Sequence, residues 1–437
     1  MLVGAALMVG FQIISIQSAF KSINLDVIGF LFGMFSIVSA LDKSGVLKIV
    51  STKMLSKARN NPDLILMVFV VGMGLLSAFL VNDTIALLGI PLVIYVSKRI
   101  SIRSSTLLIA LSFGVTVGSV MTPVGNPQNL LIALQSGIPL PFTTFLRFLG
   151  IPTIVNLFVT YFILKIYYRK EFLTLKKTKI ITTNIHQQQS HRTNKKQQYT
   201  HEENLISHAD DPNEDATSLI GSQIVNPRLA KLSIAILLAT IAGFIISETI
   251  QFAFHIASLS LSVIAMLGAT VLYALSNERR EILISVDYSV LVFFAAMFVF
   301  TSGLWSSGII SLAISHFPSP DRHNIFQSNA IISAISIALS QVLSNVPFVA
   351  IYNTLMINNG FVDNGGAANT TSQWMMLAAA STIAGNLTIL AAASNIIIIE
   401  AAESRGIKTF TFFEFSKIGG IVTLVNIVIY YLFICFV

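Results

Sequence analysis

Four short polar runs interrupt otherwise apolar stretches: Asn82-Asp83-Thr84, Thr122-Pro123-Val124-Gly125-Asn126-Pro127-Gln128-Asn129, Ser344-Asn345-Val346-Pro347 and Ala384-Gly385-Asn386-Leu387-Thr388, the last followed by Ser394 and Asn395. Asn and Asp cap the helical arm after a break, and a proline in the first turn lacks only an N–H that would be unpaired anyway. Where several half-helix N-termini converge, their free N–H groups and partial positive charge make an anion site without a buried lysine. Side-chain and carbonyl oxygens at Asn82, Asp83, Asn126, Ser344 and Asn345 can hold sodium in the same neighbourhood, with the Thr84 hydroxyl beside them. Asp83 is the acid placed near mid-membrane, where an ionisable group is a functional candidate by default, binding sodium or a proton. Asn129, Thr388, Ser394 and Asn395 lie just beyond the breaks and either line the cavity or hydrogen-bond between helices. A capping Asn or Asp taken alone is also explained by satisfying a hairpin tip, and the four breaks together are the stronger sign of a site.

The elements that must position these residues are membrane helices. The chain has 437 residues, 54% hydrophobic and 11% charged, against about 25% charged in a soluble domain. Apolar runs long enough to cross a bilayer fall near residues 1–20, 25–42, 144–167, 229–247, 253–275, 285–305 and 411–437. Four more, near 62–97, 104–137, 326–358 and 372–400, carry the polar breaks. Such breaks survive at membrane depth only against protein or a water-filled cavity. Asp26, Glu248, Asp287 and Glu400 fall near segment ends, where interface solvation is the expectation. The expected organisation is a first transmembrane repeat over 1–167, a disordered Gln/His/Lys-rich then acidic linker over 168–228, and an extra helix with a second, inverted repeat over 229–437.

Lys plus Arg number 27 and Asp plus Glu 20, a balance of +7. The basic residues cluster in loops, as the positive-inside rule requires, and not on a face that tracks nucleic acid. Lys43 to Arg59 precede the segment at 62–97 and Lys98, Arg99 and Arg103 follow it, so both its ends face the cytosol and it reads as a re-entrant hairpin. The hairpin at 326–358 is followed by a loop to Ser372 without Lys or Arg and enters from outside. Nine crossings and two re-entrant hairpins result, in an all-α polytopic protein of the cell membrane with the N-terminus and the 168–228 loop cytoplasmic.

An internal repeat displaced by 263 residues sets Phe30, Met34, Phe35, Leu41, Ser44 and Gly45 against Phe293, Met297, Phe298, Leu304, Ser307 and Gly308. The same displacement carries Ser77 to Ser340 and Asn82 to Asn345, while Gly125-Asn126 meets Gly385-Asn386 at 260. Opposite orientations for the halves, derived independently from loop charge, imply inverted-topology repeats with a binding site at their interface.

The runs Ser77–Thr84, Thr122–Asn129, Leu343–Pro347 and Ala384–Asn395 resemble the signatures of the ion transporter superfamily, which includes arsenical pump membrane proteins, citrate-transporter-like proteins, divalent anion/sodium symporters and some sodium/proton antiporters. The resemblance spans nearly the whole chain except the linker. It implies a scaffold, a mobile transport domain carrying the hairpins, two discontinuous helices, alternating access and a homodimer. In the symporters paired Ser-Asn-Thr tips bind sodium and substrate carboxylate; here Asn82-Asp83-Thr84 adds a negative charge and Ser344-Asn345-Val346 loses a hydroxyl. The aspartate tilts the reading toward the arsenical-pump and antiporter side. The expectation is a secondary transporter of a small inorganic or carboxylate anion, arsenite-like or citrate-like, coupled to sodium or protons and with no cofactor. The alternatives are a sodium/proton antiporter, and from another class a channel or nontransporting scaffold. The chain has no His-Glu-x-x-His pattern and no nucleotide-binding Gly-x-x-x-x-Gly-Lys-Ser/Thr loop, so it is read as a non-enzyme, with a separate ATPase partner left open as in some arsenical pumps.

Overall fold

The computed structural model describes residues 1–58, 61–100, 102–173, 226–254, 259–314, 318–361 and 370–436. Their regular structure is helical, and eight of the helices are long and apolar enough to cross a membrane. The first half runs α1 (Leu2–Gly10), α2 (Ile16–Ser22), α3 (Leu25–Lys43), α4 (Val46–Lys57), α5 (Pro62–Leu80, with a π-helical turn at Val68–Gly72), α6 (Asn82–Ile100), α7 (Ser104–Gly118), α8 (Pro127–Gln135) and α9 (Pro141–Tyr167). The second runs α10 (Pro227–Phe254), α11 (Leu261–Leu275), α12 (Arg279–Ile284), α13 (Tyr288–Ser306), α14 (Ile309–Ile314), α15 (Ile325–Leu343), α16 (Asn345–Asn358), α17 (Thr371–Ile383), α18 (Ala393–Glu403) and α19 (Phe412–Phe436).

The repeat is written into the helix bounds. α3 and α13 begin and end 263 residues apart, each after an Asn24 or Asp287 side-chain cap and each followed by a left-handed glycine, Gly45 at φ +80° and Gly308 at +75°. α5 and α15 keep the same displacement, and their hairpins turn at equivalent residues, Val81 (φ +60°) and Ser344 (φ +65°). A β-branched residue there is a costly outlier that the surrounding packing must hold.

Polar contacts show how the hairpins are aimed. Asp63 at the start of α5 pairs with Lys165 of α9 at 3.6 Å, and Arg103, just past α6, pairs with Glu171 at 2.9 Å. Both ends of the first hairpin therefore meet at the end of the bundle where α9 finishes. Arg322 before α15 donates to the Gly360 carbonyl after α16 at 2.9 Å, Asn329 reaches Ser372 at 3.0 Å and Cys435 at 3.4 Å, and Asn353 reaches Gln135 at 3.1 Å. The second hairpin thus has both its ends where α8 and α19 finish, at the opposite end.

Packing divides the helices into two groups. α3 lies on α11 and α10, with α13 against α1 and α2, whereas α9 packs on α19 and α7, α5 on α7, and α15 on α17. Within the second group a Cβ on Gly118 of α7 would overlap the Gly74 carbonyl of α5, and one on Gly114 would lie 2.6 Å from the Val70 oxygen. Backbone-to-backbone approach at a small-xxx-small pair holds helices together where lipid supplies no hydrophobic drive.

Three expectations change. Residues 1–20 are not one crossing: α1 and α2 have nine and seven residues, parted by a turn with Gln12 at φ +57°, and at 1.5 Å per residue neither spans about 30 Å alone. The linker is shorter than 168–228, because Tyr168 and Phe172 are buried and α10 starts at Pro227, while 174–225 lie outside the described residues. Glu248 is 4% exposed and is no interfacial group. Its two oxygens accept the Phe142 and Thr143 N–H groups at 2.7 and 2.9 Å, capping the first turn of α9. Glu248→Gln removes that charge and is expected to cost about 1–2 kcal/mol, read as a lower midpoint in thermal unfolding of the detergent-solubilised protein; an unchanged midpoint contradicts the capping role.

Candidate functional site

Each hairpin tip seats on the break of its own half. In the first, the Asn82 N–H donates to the Gly125 carbonyl at 2.9 Å, and the Thr122 hydroxyl donates to the Ala78 carbonyl. Gly125 has to be glycine, since a Cβ there would overlap the Ser119 backbone. Asn126 caps α8, its oxygen accepting from the Asn129 N–H at 2.9 Å while its amide donates to the Ser119 carbonyl at 3.1 Å. The Asn129 amide serves the carbonyls of Ser119, Val120 and Thr122 at 3.1–3.2 Å. In the second half, the Ser344 hydroxyl donates to the Ala391 carbonyl at 3.1 Å, and the Thr388 hydroxyl to Gln341 Oε1 at 2.7 Å. Asn395 donates to the Gly385 carbonyl at 2.8 Å and accepts from Ser112.

The two breaks correspond at a displacement of 266, not the 260 suggested by the Gly-Asn pairs. Asn129 gathers the Ser119 and Thr122 carbonyls as Asn395 gathers those of Gly385 and Thr388. Thr122 and Thr388 share a conformation, φ/ψ −136°/160° and −135°/161°. Gly385-Asn386 is therefore the counterpart of Ser119-Val120, and Asn126 that of Ala392; the matching dipeptides occupy different places in the turn.

The breaks join across the interface of the halves. The Asn126 amide reaches the Thr382 hydroxyl at 3.2 Å, and that hydroxyl donates to Asn129 Oδ1 at 3.3 Å. Asn126, Asn129 and Asn395 thus hold backbone carbonyls in place and are structural pins within the site. Among the described residues, other polar atoms here are buried without a protein partner: Asn345 Oδ1, both amide atoms of Asn386, Ser394 Oγ and Thr116 Oγ1. Asn345 and Thr116 converge beside Gly385, whose Cβ would lie 3.0 Å from Asn345 Nδ2 and 3.5 Å from Thr116 Cγ2. Unpaired buried groups of this kind cost about 1–3 kcal/mol each, and an incoming ion or polar solute relieves that cost.

Asp83 and Thr84 face elsewhere, into a cleft of about 970 Å³ between the two helix groups. Its walls include Ser39, Asp42 and Lys43 of α3, Ser285 and Asp287 before α13, and Arg405 after α18. Among the described residues the Asp83 side chain has no hydrogen-bond or ion-pair partner, whereas Asp287 also caps α13 through the Ser289 N–H at 3.1 Å. Sequence reasoning missed Asp287, Asp42, Thr116, Thr382 and Gln341 as site residues. The signal for Asp287 was its place 263 residues after the cap Asn24, and for Thr382 its place 266 after Thr116.

Comparison with known proteins gives a consistent picture. The profile of the citrate transporter family (CitMHS) matches residues 1–370. A transporter of Mycobacterium tuberculosis, described as uncharacterized, is 27% identical over 362 residues, or 81% of this chain and 74% of its own length. A silicon efflux transporter of Oryza sativa subsp. japonica is 34% identical over 137 residues, 31% of this chain and 28% of that protein. A transporter named arsB of Dictyostelium discoideum is 28% identical over 174 residues, 40% and 30% of the two chains.

Proposed function

The chain belongs to the citrate transporter family, and from that membership and the site's geometry we propose that it moves a small inorganic or carboxylate anion by alternating access, coupled to sodium or protons. That it is an integral, multi-pass membrane transporter follows from the family and the eight apolar helices. The observation that carries the finer reading is the cleft between the two helix groups, with Asp83 and Thr84 of the first hairpin tip in its wall. Its wall also includes Lys43 and Arg405, at the end of the bundle that loop charge assigns to the cytosol. In this state the first hairpin is re-entrant from the cytosol and the second from outside, and sliding of α5–α9 and α15–α19 against α3, α10, α11 and α13 exposes the tips to the other face.

The anion is held by N–H groups at the starts of α6, α8, α16 and α18, in the manner of broken-helix transporters. Asp83 carries the coupling cation, sodium or a proton, and Asn345 Oδ1 with the Ser394 and Thr116 hydroxyls supplies neutral oxygens at the second half-site. Of the five residues expected to hold sodium, Asn82 and Asn126 act through the backbone they position, since their oxygens already accept the Asp83 and Asn129 N–H groups. An inorganic cargo is favoured by the similarity to a silicon efflux transporter and to arsB, a carboxylate cargo by the family. A sodium/proton antiporter is the second reading, favoured by the unpaired Asp83.

Exchange in everted membrane vesicles tests the carrier mechanism. Labelled arsenite or citrate uptake is expected to saturate and to accelerate when the same solute is preloaded on the far side. Uptake of both that rises linearly with concentration and ignores preloading would show a channel instead.

A further inference from the structure

The two hairpins are equivalent in sequence position but are fastened differently. In the first, every fastening involves backbone: Asn82 N–H to Gly125 carbonyl, Thr122 hydroxyl to Ala78 carbonyl, and the Ser77 hydroxyl to the carbonyls of Gly74 and Val115 at 2.8 Å. Gly74 lies directly on Gly114 and Gly118, so the arm itself is packed backbone to backbone. Applying the displacements of 263 and 266 locates the same joints in the second half. Ala78 becomes Gln341, Thr122 becomes Thr388, Gly125 becomes Ala391 and Ser77 becomes Ser340; Gly74 becomes Ile337, and Gly114 and Gly118 become Ala380 and Ala384.

There, among the described residues, no backbone-to-backbone bond ties the tip to its break as Asn82–Gly125 does in the first half, and the joint at Gln341 is side chain to side chain. Thr388 donates to Gln341 Oε1 at 2.7 Å, the Gln341 amide reaches the Ala384 carbonyl at 3.1 Å, and Ser344 reaches Ala391 through its hydroxyl at 3.1 Å. The Ser340 hydroxyl, counterpart of the doubly bonded Ser77, is buried without a partner among the described residues. A backbone joint in close packing has no alternative rotamer to adopt, whereas an amide strut on a flexible side chain releases by rotating its χ angles.

We propose that the second hairpin is the one that opens locally against its break, with Gln341 as the positioning residue that latches it, while the first hairpin stays fixed to α7 and the 119–126 turn. Gln341 acts through Thr388 and Ala384 on the polar atoms of Asn345 and Ser394 and touches no cargo itself. The inference rests on the reading of the breaks as the solute and ion site, but its first test does not depend on transport.

Hydrogen–deuterium exchange of the protein in lipid nanodiscs is expected to be at least about tenfold faster over 338–350 than over 75–87, the equivalent of one or two hydrogen bonds. Gln341→Ala should raise exchange over 338–350 further and leave 75–87 unchanged. Equal exchange at the two tips in the wild type, or a Gln341→Ala effect on both or neither, overturns the proposal. A second variant guards against a folding defect: Q341C with T388C in a Cys435→Ser background, cross-linked by oxidation and released by dithiothreitol. Cross-linking should stop arsenite or citrate exchange, and dithiothreitol should restore it. Exchange that continues with the Q341C–T388C link formed contradicts the latch. A protein that transports neither solute in any form, yet shows the asymmetric hydrogen exchange, sinks the cargo reading and leaves the latch standing.

Discussion

Asp83→Asn is expected to abolish the dependence of solute flux on the coupling ion while leaving a folded protein. The side chain keeps its size, and the one hydrogen bond at this residue that secures the tip uses its backbone N–H, accepted by Asn82 Oδ1 at 2.9 Å. What is lost is the single negative charge of the tip, which faces the cleft opposite α3 and the start of α13. A charge-assisted contact is worth about 1.5–3 kcal/mol, or roughly 10- to 100-fold in apparent affinity for the cation. Residual uncoupled flux, insensitive to sodium and pH gradients, is compatible with the assignment. Wild-type coupled flux in the variant is not.

The second large effect concerns the fold that holds the tip. Gly118→Ala places a methyl group into the Gly74 carbonyl, an obstruction made of backbone that no rotamer change can clear. α5 must move away from α7, and with it the Asn82–Gly125 bond that seats the tip. A cost at the upper end of the about 1–3 kcal/mol typical of overpacking is expected, seen as loss of the monodisperse peak or a large fall in thermal midpoint. Gly150→Ala in α9 is the control. Its Cβ meets nothing within 4 Å, and replacing a mid-helix glycine by alanine should stabilise by about 0.5–1 kcal/mol. Equal behaviour of the two variants would remove the close-packing argument.

How much was legible in the sequence follows from what each residue signals locally. Polar triplets inside apolar arms announce themselves, so Asn82-Asp83-Thr84 and Ser344-Asn345 marked both hairpin tips, and loop charge set the two hairpins in opposite directions, as their end contacts do. The 263-residue repeat was visible in shared apolar and small residues, among them Gly45 and Gly308, which take the same left-handed conformation after α3 and α13. The register of the breaks was not. It is set by which carbonyls Asn129 and Asn395 gather, and the repeated Gly-Asn pair drew the alignment six residues away from that correspondence. Hydropathy treats Met1–Phe20 as one run because it does not register the turn at Gln12. Glu248 gave no sign of capping α9, since its partners Phe142 and Thr143 lie 106 and 105 residues away in sequence. Gln341 was hidden for a related reason: a glutamine three residues before a tip looks ordinary until Thr388 is seen to depend on it.

The central claim, that the cleft beneath Asp83 carries a coupled solute, is tested most directly by transport into proteoliposomes of purified protein. Arsenite, citrate, succinate and sulfate would each be added with sodium present or absent at fixed pH, and then with a proton gradient at fixed sodium, while uptake and current are recorded. Saturable uptake is expected for at least one of them, responding to the sodium or the proton gradient and losing that response in Asp83→Asn. Uptake indifferent to both gradients, or a gradient response that survives in Asp83→Asn, would contradict it.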